Sequence, residues 1–140
     1  MDDDAIAEAL RERIAASAFH RGLGLEVEAA SAGAVRLAMP ARQDQLNLLG
    51  SVHGGVLATL ADTAMGLAVR TAVGDGRRHT TIDMDVRFLR GAAPGRLVAE
   101  GTTIRVGSRI AVAEARISDA DGTEVARASG TYDVAPRRDQ

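Results

Sequence analysis

The stretch Asn47-Leu-Leu-Gly-Ser-Val-His-Gly-Gly-Val-Leu-Ala-Thr-Leu-Ala-Asp62 reads in turn as a loop, a helix start and the first half of a helix. From Val56 to Ala72 the polar residues Thr59, Asp62, Thr63 and Arg70, with Gly66 among them, recur at helical spacing. At about 100° per residue they share one narrow stripe. Val56, Leu57, Leu60, Ala61, Ala64, Met65, Leu67, Ala68 and Val69 cover the rest of the circumference, more than the single face a surface helix buries. The pattern predicts a long helix wrapped by the rest of the fold.

Upstream of that helix, His53-Gly54-Gly55 lets the backbone turn and keeps bulky side chains away from the first amide N–H groups. A helix N-terminus of this kind suits an oxyanion or a polarised carbonyl. Asp62 follows Gly54 by eight residues, about 12 Å along a helix rising about 1.5 Å per residue. A nucleophile or base must come within about 3 Å of its target. Gly54 and Asp62 of one chain are therefore not expected to serve one carbonyl. If both act, Gly54 of one subunit works with Asp62 of another.

The ordered segments Leu46-Asn47, Ser51-Val52-His53-Gly54-Gly55, Leu60-Ala61-Asp62-Thr63-Ala64, Thr81-Ile82-Asp83 and Phe88-Leu89-Arg90 resemble the hotdog-fold acyl-CoA thioesterases of the phenylacetate-degradation (PaaI-like) type. The likeness runs from about Gly22 to Tyr132. It implies an α+β hotdog fold, a curved antiparallel sheet wrapped around one long central helix. It makes Asp62 the group that attacks the thioester carbonyl or activates water to do so, and the Gly54 amide the oxyanion donor. Asn47 matches a position that helps hold the thioester or the water, and Thr81 a hydroxyl that positions water opposite the aspartate. Gly55 and Thr63 flank these groups in the matching motifs and count with them toward the substrate. For coenzyme A the resemblance points to Phe88, Arg90 and Gly91, and to Gly107, Ser108 and Arg109. It implies a homodimer, often paired into a homotetramer, with no metal and no bound cofactor: coenzyme A enters as part of the substrate. His53 beside two glycines is read as fixing the loop by hydrogen bonding, although Asp44 or Asp62 could orient it in a dyad.

Composition sets the limits. A chain of 140 residues with 46% hydrophobic content is long enough for one core. A net charge of -2 and the lack of a basic stripe with interleaved aromatics give no reason to expect nucleic acid. With no cysteine there is no disulfide, thiolate metal site or Cys nucleophile. No apolar run approaches a membrane span, and Asp2-Asp3-Asp4 is unlike a signal peptide, so a soluble cytoplasmic protein is expected. All 17 basic residues are arginine, which suits phosphate recognition and equally suits a genome-wide bias.

The remaining elements follow in order. Asp4 to Ala18 reads as an amphipathic helix, a lid or packing element standing before a domain of residues 19–135. Gly22 to Ala30 and Ala34 to Met39 read as strands, the second ended by Pro40. Gly74-Asp75-Gly76 stops the central helix. Thr81 to Phe88 alternates, with Ile82, Met84, Val86 and Phe88 on one side and Thr81, Asp83, Asp85 and Arg87 on the other. Arg96 to Val106, Arg109 to Ser118 and Glu124 to Val134 complete an antiparallel meander, and residues 136–140 read as a disordered tail. His20 and His79 lie at element boundaries and read as surface residues. Two other functions fit this outline. An enoyl-CoA hydratase would need an Asp and a His closer together than Asp44 and His53, with a Pro between. A non-catalytic acyl-CoA binding module would have no use for the Asp62 carboxylate.

Overall fold

The long apolar run forms α3 (Gly54–Val73), a helix of 20 residues. The computed structural model describes residues 1–138. Around α3 the chain adds α1 (Asp3–Ala15), α2 (Ala18–Leu23), β1 (Glu26–Ser31), β2 (Ala34–Ala41), β3 (Thr80–Phe88), β4 (Gly95–Val106), β5 (Ile110–Ser118) and β6 (Glu124–Asp133). The strands make one sheet in the order β1-β2-β4-β5-β6-β3, antiparallel throughout. The sheet curves around α3, which packs against every strand. This is the α+β hotdog fold. By length and composition α3 could cross a membrane, contrary to the sequence reading that no apolar run comes near a span. Here the sheet buries it.

Packing is closest where both surfaces are small. Leu60, Ala61, Ala64, Met65, Ala68 and Val69 of α3 are fully buried, and Ala99, Ala113, Ala115 and Ala128 form much of the facing sheet. Gly101 marks the tightest point, since a Cβ there would stand 2.4 Å from the Ala64 carbonyl oxygen. Alanine and glycine on both sides let the backbones approach, as close-packed interiors require.

Four local expectations are corrected. The first helix ends at Ala15, capped at its start by Asp2 Oδ1 accepting from the Ala5 N–H at 2.8 Å. Gly22 and Leu23, read as the start of a strand, instead end α2, which Ser17 caps and Gly24 closes at φ 71°. Pro40 lies inside β2 rather than ending it. The β1 pairing stops at Ala38, so Pro40 pairs only with Arg96 on the β4 side and its missing N–H costs no ladder bond. Finally, β3 does not open the meander. It pairs with β6 and forms the far edge of the sheet.

The tail expected to be disordered from Pro136 onward is tied down as far as Arg137. Pro136 bridges to Arg77, and the Arg137 N–H donates to the Gly76 carbonyl at 3.0 Å. Asp139 and Gln140, also part of that expectation, lie outside the described residues.

The Gly101 contact is with backbone, which cannot swing aside. Gly101→Ala is expected to lower unfolding free energy by about 3 kcal/mol or more. Gly22→Ala, which meets nothing within 4 Å, should leave stability unchanged or raise it by up to about 1 kcal/mol. Urea unfolding of both variants checks this.

Candidate active site

Two places at opposite ends of one half of α3 hold the residues read as catalytic. The first is its N-terminus. His53 is the N-cap, its Nδ1 accepting from the Gly55 N–H at 2.8 Å. The imidazole therefore fixes the helix start and takes up the Gly55 amide. The Gly54 N–H is left with no acceptor among the described residues. The Phe88 ring lies over it, with ring carbons 3.2 and 3.3 Å from where a Gly54 Cβ would sit. Asn47 builds the preceding loop: its Oδ1 accepts from the N–H groups of Leu49 at 2.9 Å and Ser51 at 3.1 Å. The Val52 N–H donates to the Ala92 carbonyl at 2.8 Å. Gly91 comes so close to the Ser51 hydroxyl that a Cβ there would stand 2.8 Å from it. Gly54, Phe88, Arg90 and Gly91 thus share one end of the molecule.

The second place is Asp62, half-buried two turns further along the polar stripe. Its Oδ1 accepts from Thr81 Oγ1 at 2.7 Å and from Tyr132 Oη at 2.8 Å. Oδ2 has no partner among the described residues. Thr63 lies beside it, its hydroxyl donated back to the Thr59 carbonyl at 2.7 Å. Asp62, Thr63 and Thr81 line a cavity of about 750 Å³, whose other walls include Ile14, Phe19 and His20 from the α1–α2 segment and Leu67 from α3. His20 and His79 both line it, so neither is simply a surface residue.

Thr81 reaches Asp62 because of a β-bulge. Strict alternation puts Thr81 on the side of Asp83 and Asp85, away from Met84 and Val86. In the β3–β6 ladder Thr81 pairs with Tyr132 but Asp83 already pairs with Thr131, leaving Ile82 as the extra residue. The bulge reverses the phase, so that Thr81, Met84 and Val86 all face α3 while Ile82 is turned out and 55% exposed.

Tyr132 is the residue that sequence reading missed. It is fully buried, and its ring occupies a slot between glycines: Cε1 lies 3.6 Å from a Cβ built on Gly66, and Cε2 lies 3.0 Å from one built on Gly130. The available signal was a single hydroxyl in the inward row of β6, otherwise Ala126, Ala128 and Gly130. Burial, then the bond to Asp62 and its charge, push the phenol well above its ordinary value.

The residues to which the resemblance points for coenzyme A divide in the same way as Gly54 and Asp62. Gly107 and Ser108 offer their carbonyls to the Arg77 guanidinium at 2.6 and 2.7 Å, and the Arg109 carbonyl accepts from the Val134 N–H at 2.9 Å. That hairpin stands near the Thr80 end of β3, whereas Phe88, Arg90 and Gly91 stand at the other. A nine-residue strand separates them by about 26 Å at roughly 3.3 Å per residue. In one chain these groups do not meet.

A family model described as the thioesterase superfamily matches residues 49–126. A protein of Halobacterium salinarum named as a candidate esterase is 43% identical over 123 residues, 80% of this chain and 81% of its own. The medium/long-chain acyl-CoA thioesterase YigI of Salmonella typhimurium is 31% identical over 134 residues, 83% of this chain and 84% of its own. Among solved structures, the PaaI protein of the phenylacetic acid degradation operon of E. coli superposes with a TM-score of 0.82 at 26% identity, covering 93% of this chain and 91% of that one.

His79, on the cavity wall, supplies a test of its electrostatics. Burial, and then the cations of Arg70, Arg13 and Arg137, hold its imidazole below the ordinary value. Below about pH 6.5 the unfolded chain takes up a proton that the folded chain resists. The unfolded state then binds more protons, so stability is lost as pH falls through that value. Urea midpoints between pH 7.5 and 5.5 should fall for the wild type and fall less for His79→Gln.

Proposed function

The chain belongs to the thioesterase superfamily and is a thioester hydrolase, and we propose that it hydrolyses acyl-CoA thioesters at sites shared between two copies of itself. One observation carries the proposal: Asp62 is held through Oδ1 by Thr81 and Tyr132, leaving Oδ2 unengaged on a cavity wall. In the reaction, Oδ2 takes a proton from water as the water oxygen attacks the carbonyl carbon, or Oδ2 attacks that carbon itself. The carbonyl oxygen gathers negative charge and receives the Gly54 N–H of a second copy, at the positive end of its α3. Collapse of the tetrahedral species breaks the C–S bond, and the coenzyme A thiolate leaves and takes up a proton; on the second route water then cleaves the acyl–Asp62 anhydride, releasing the acid and restoring the carboxylate. Coenzyme A is substrate, and no step calls for a metal or resident cofactor.

The shared site rests on the free edge of β3. Ile82 and Phe88 are 55% and 56% exposed there, and an unpaired strand edge with apolar side chains is a ready template for a second chain. Two such edges related by a two-fold axis run antiparallel. That arrangement sets the Phe88 end of one copy, with Gly54, Arg90 and Gly91, against the Thr81 end of the other, with Asp62 and the Gly107–Arg109 hairpin. Catalytic and coenzyme A groups separated within one chain are rejoined in the same step, giving two sites per dimer.

The acyl group is assigned to the cavity walled by Ile14, Phe19 and Leu67. The likeness to YigI, a medium/long-chain acyl-CoA thioesterase in name, favours an aliphatic acyl group over the arylacetyl group suggested by likeness to the PaaI-like type. The reading as a pure binding module gives way to membership of a hydrolase family.

Two variants test the chemistry and the sharing together. Asp62→Asn should lose about 10² or more in kcat on a medium-chain acyl-CoA with little change in KM. Gly54→Pro removes the amide donor at a first-turn position that accepts proline, and should lose about 10²–10³. Unfolding and refolding the two inactive variants together should restore about a quarter of wild-type activity, because half of a random mixture of dimers then holds one intact site. No recovery in a mixture shown to contain heterodimers would place both groups in one chain and overturn the shared site.

A further inference from the structure

We propose that Tyr132 is a positioning residue for the hydrolysis, setting the orientation of the Asp62 carboxylate jointly with Thr81. This rests on the reading of Asp62 as the catalytic carboxylate. Three observations carry it.

The first is convergence on one atom. An aspartate on the outer stripe of a helix has rotamer freedom, and nothing else on α3 restrains this one. Thr81 and Tyr132 are direct cross-strand partners in the β3–β6 ladder, and both donate to Oδ1, at 2.7 and 2.8 Å. Hydroxyl bonds to a carboxylate are among the stronger side-chain hydrogen bonds. With Oδ1 saturated from the sheet side, the second oxygen is the one left for substrate or water.

The second is the way the ring is held. Gly66 on α3 and Gly130 on β6 leave the space it fills, Met65 packs beside Gly130, and the tyrosine has no exposed surface. It therefore touches neither solvent nor the cavity, whose lining residues do not include it. Its route to the reaction runs through the side chains it meets there, Asp62 and Thr81.

The third is protonation. Burial and the neighbouring carboxylate keep the phenol protonated far into the alkaline range. Tyr132 is thus a constant donor, unsuited to trade protons with the substrate, and its effect is geometric and electrostatic.

A buried tyrosine also needs a partner for its hydroxyl for stability alone, so the test must separate the two roles. Tyr132→Phe keeps the ring and removes only the donor. It is expected to lower kcat by about 10- to 100-fold, the scale of losing an orienting hydrogen bond or misplacing a group by about 1 Å, with KM within about twofold. Thr81→Ala alone leaves one donor on Oδ1, and the double variant leaves none. Its loss should exceed the product of the single losses, as groups acting on one atom are not additive.

Unchanged kcat in a Tyr132→Phe protein of lowered stability would make Tyr132 purely structural and overturn the proposal. A rise in KM with kcat intact would make it a substrate contact and overturn it too. Asp62→Asn, assayed alongside, separates the layers: full activity there removes the catalytic reading of Asp62 and the proposal with it, whereas an inactive Asp62→Asn beside a fully active Tyr132→Phe removes the proposal alone. Should Tyr132→Phe fail to fold, Gly130→Ala pushes on the ring edge while keeping the hydroxyl, and should likewise lower kcat with KM within about twofold.

Discussion

The close approach of α3 to the inner face of the sheet is the constraint on which the molecule depends. At Gly101 the strand backbone meets the Ala64 backbone with no room for a side chain between them. Alanines on both surfaces extend that contact along the helix. A helix held so near leaves its polar stripe little choice of direction. The side of α3 that carries Thr59, Asp62, Thr63 and Gly66 emerges at the β3–β6 margin of the sheet, within hydrogen-bond reach of hydroxyls on those strands.

What happens at that margin is set by one extra residue. Without the bulge at Ile82, Thr81 would point away from the helix, and the exposed Ile82 would take its place beside Asp62. The insertion exchanges an apolar neighbour for a hydroxyl at the carboxylate and presents the displaced isoleucine on the open edge of the sheet. A single backbone irregularity thus serves both the site and the edge beside it. Edge bulges next to active sites commonly re-aim a side chain in this way.

Division of labour along α3 follows from helix geometry. A backbone donor is free only in the first turn, and a side chain can face the β6 tyrosine only further along. The two groups therefore stand about 12 Å apart in any one chain, for eight residues at about 1.5 Å each. The residues proposed to contact coenzyme A divide between the same two ends of β3. On the shared-site reading, a two-fold axis returns the far end of a second copy to the near end of the first.

Much of this was legible in the chain itself. The breadth of the apolar surface from Val56 to Val69 required a wrapped helix, and the eight-residue gap between Gly54 and Asp62 required two chains if both were to act. Alternation and turn residues placed β4, β5 and β6 to within a residue or two. These are properties of contiguous residues, governed by the periods of the helix and strand. Tertiary structure alone decided the rest: that β3 joins β6 instead of β4, that Pro40 can sit within a strand where its neighbour has ended, and that Ile82 is an insertion which turns Thr81 inward beside Tyr132. Each depends on pairing between segments far apart in sequence, where a shift of one residue exchanges the two faces of a strand. Local periodicity carries no record of such a shift.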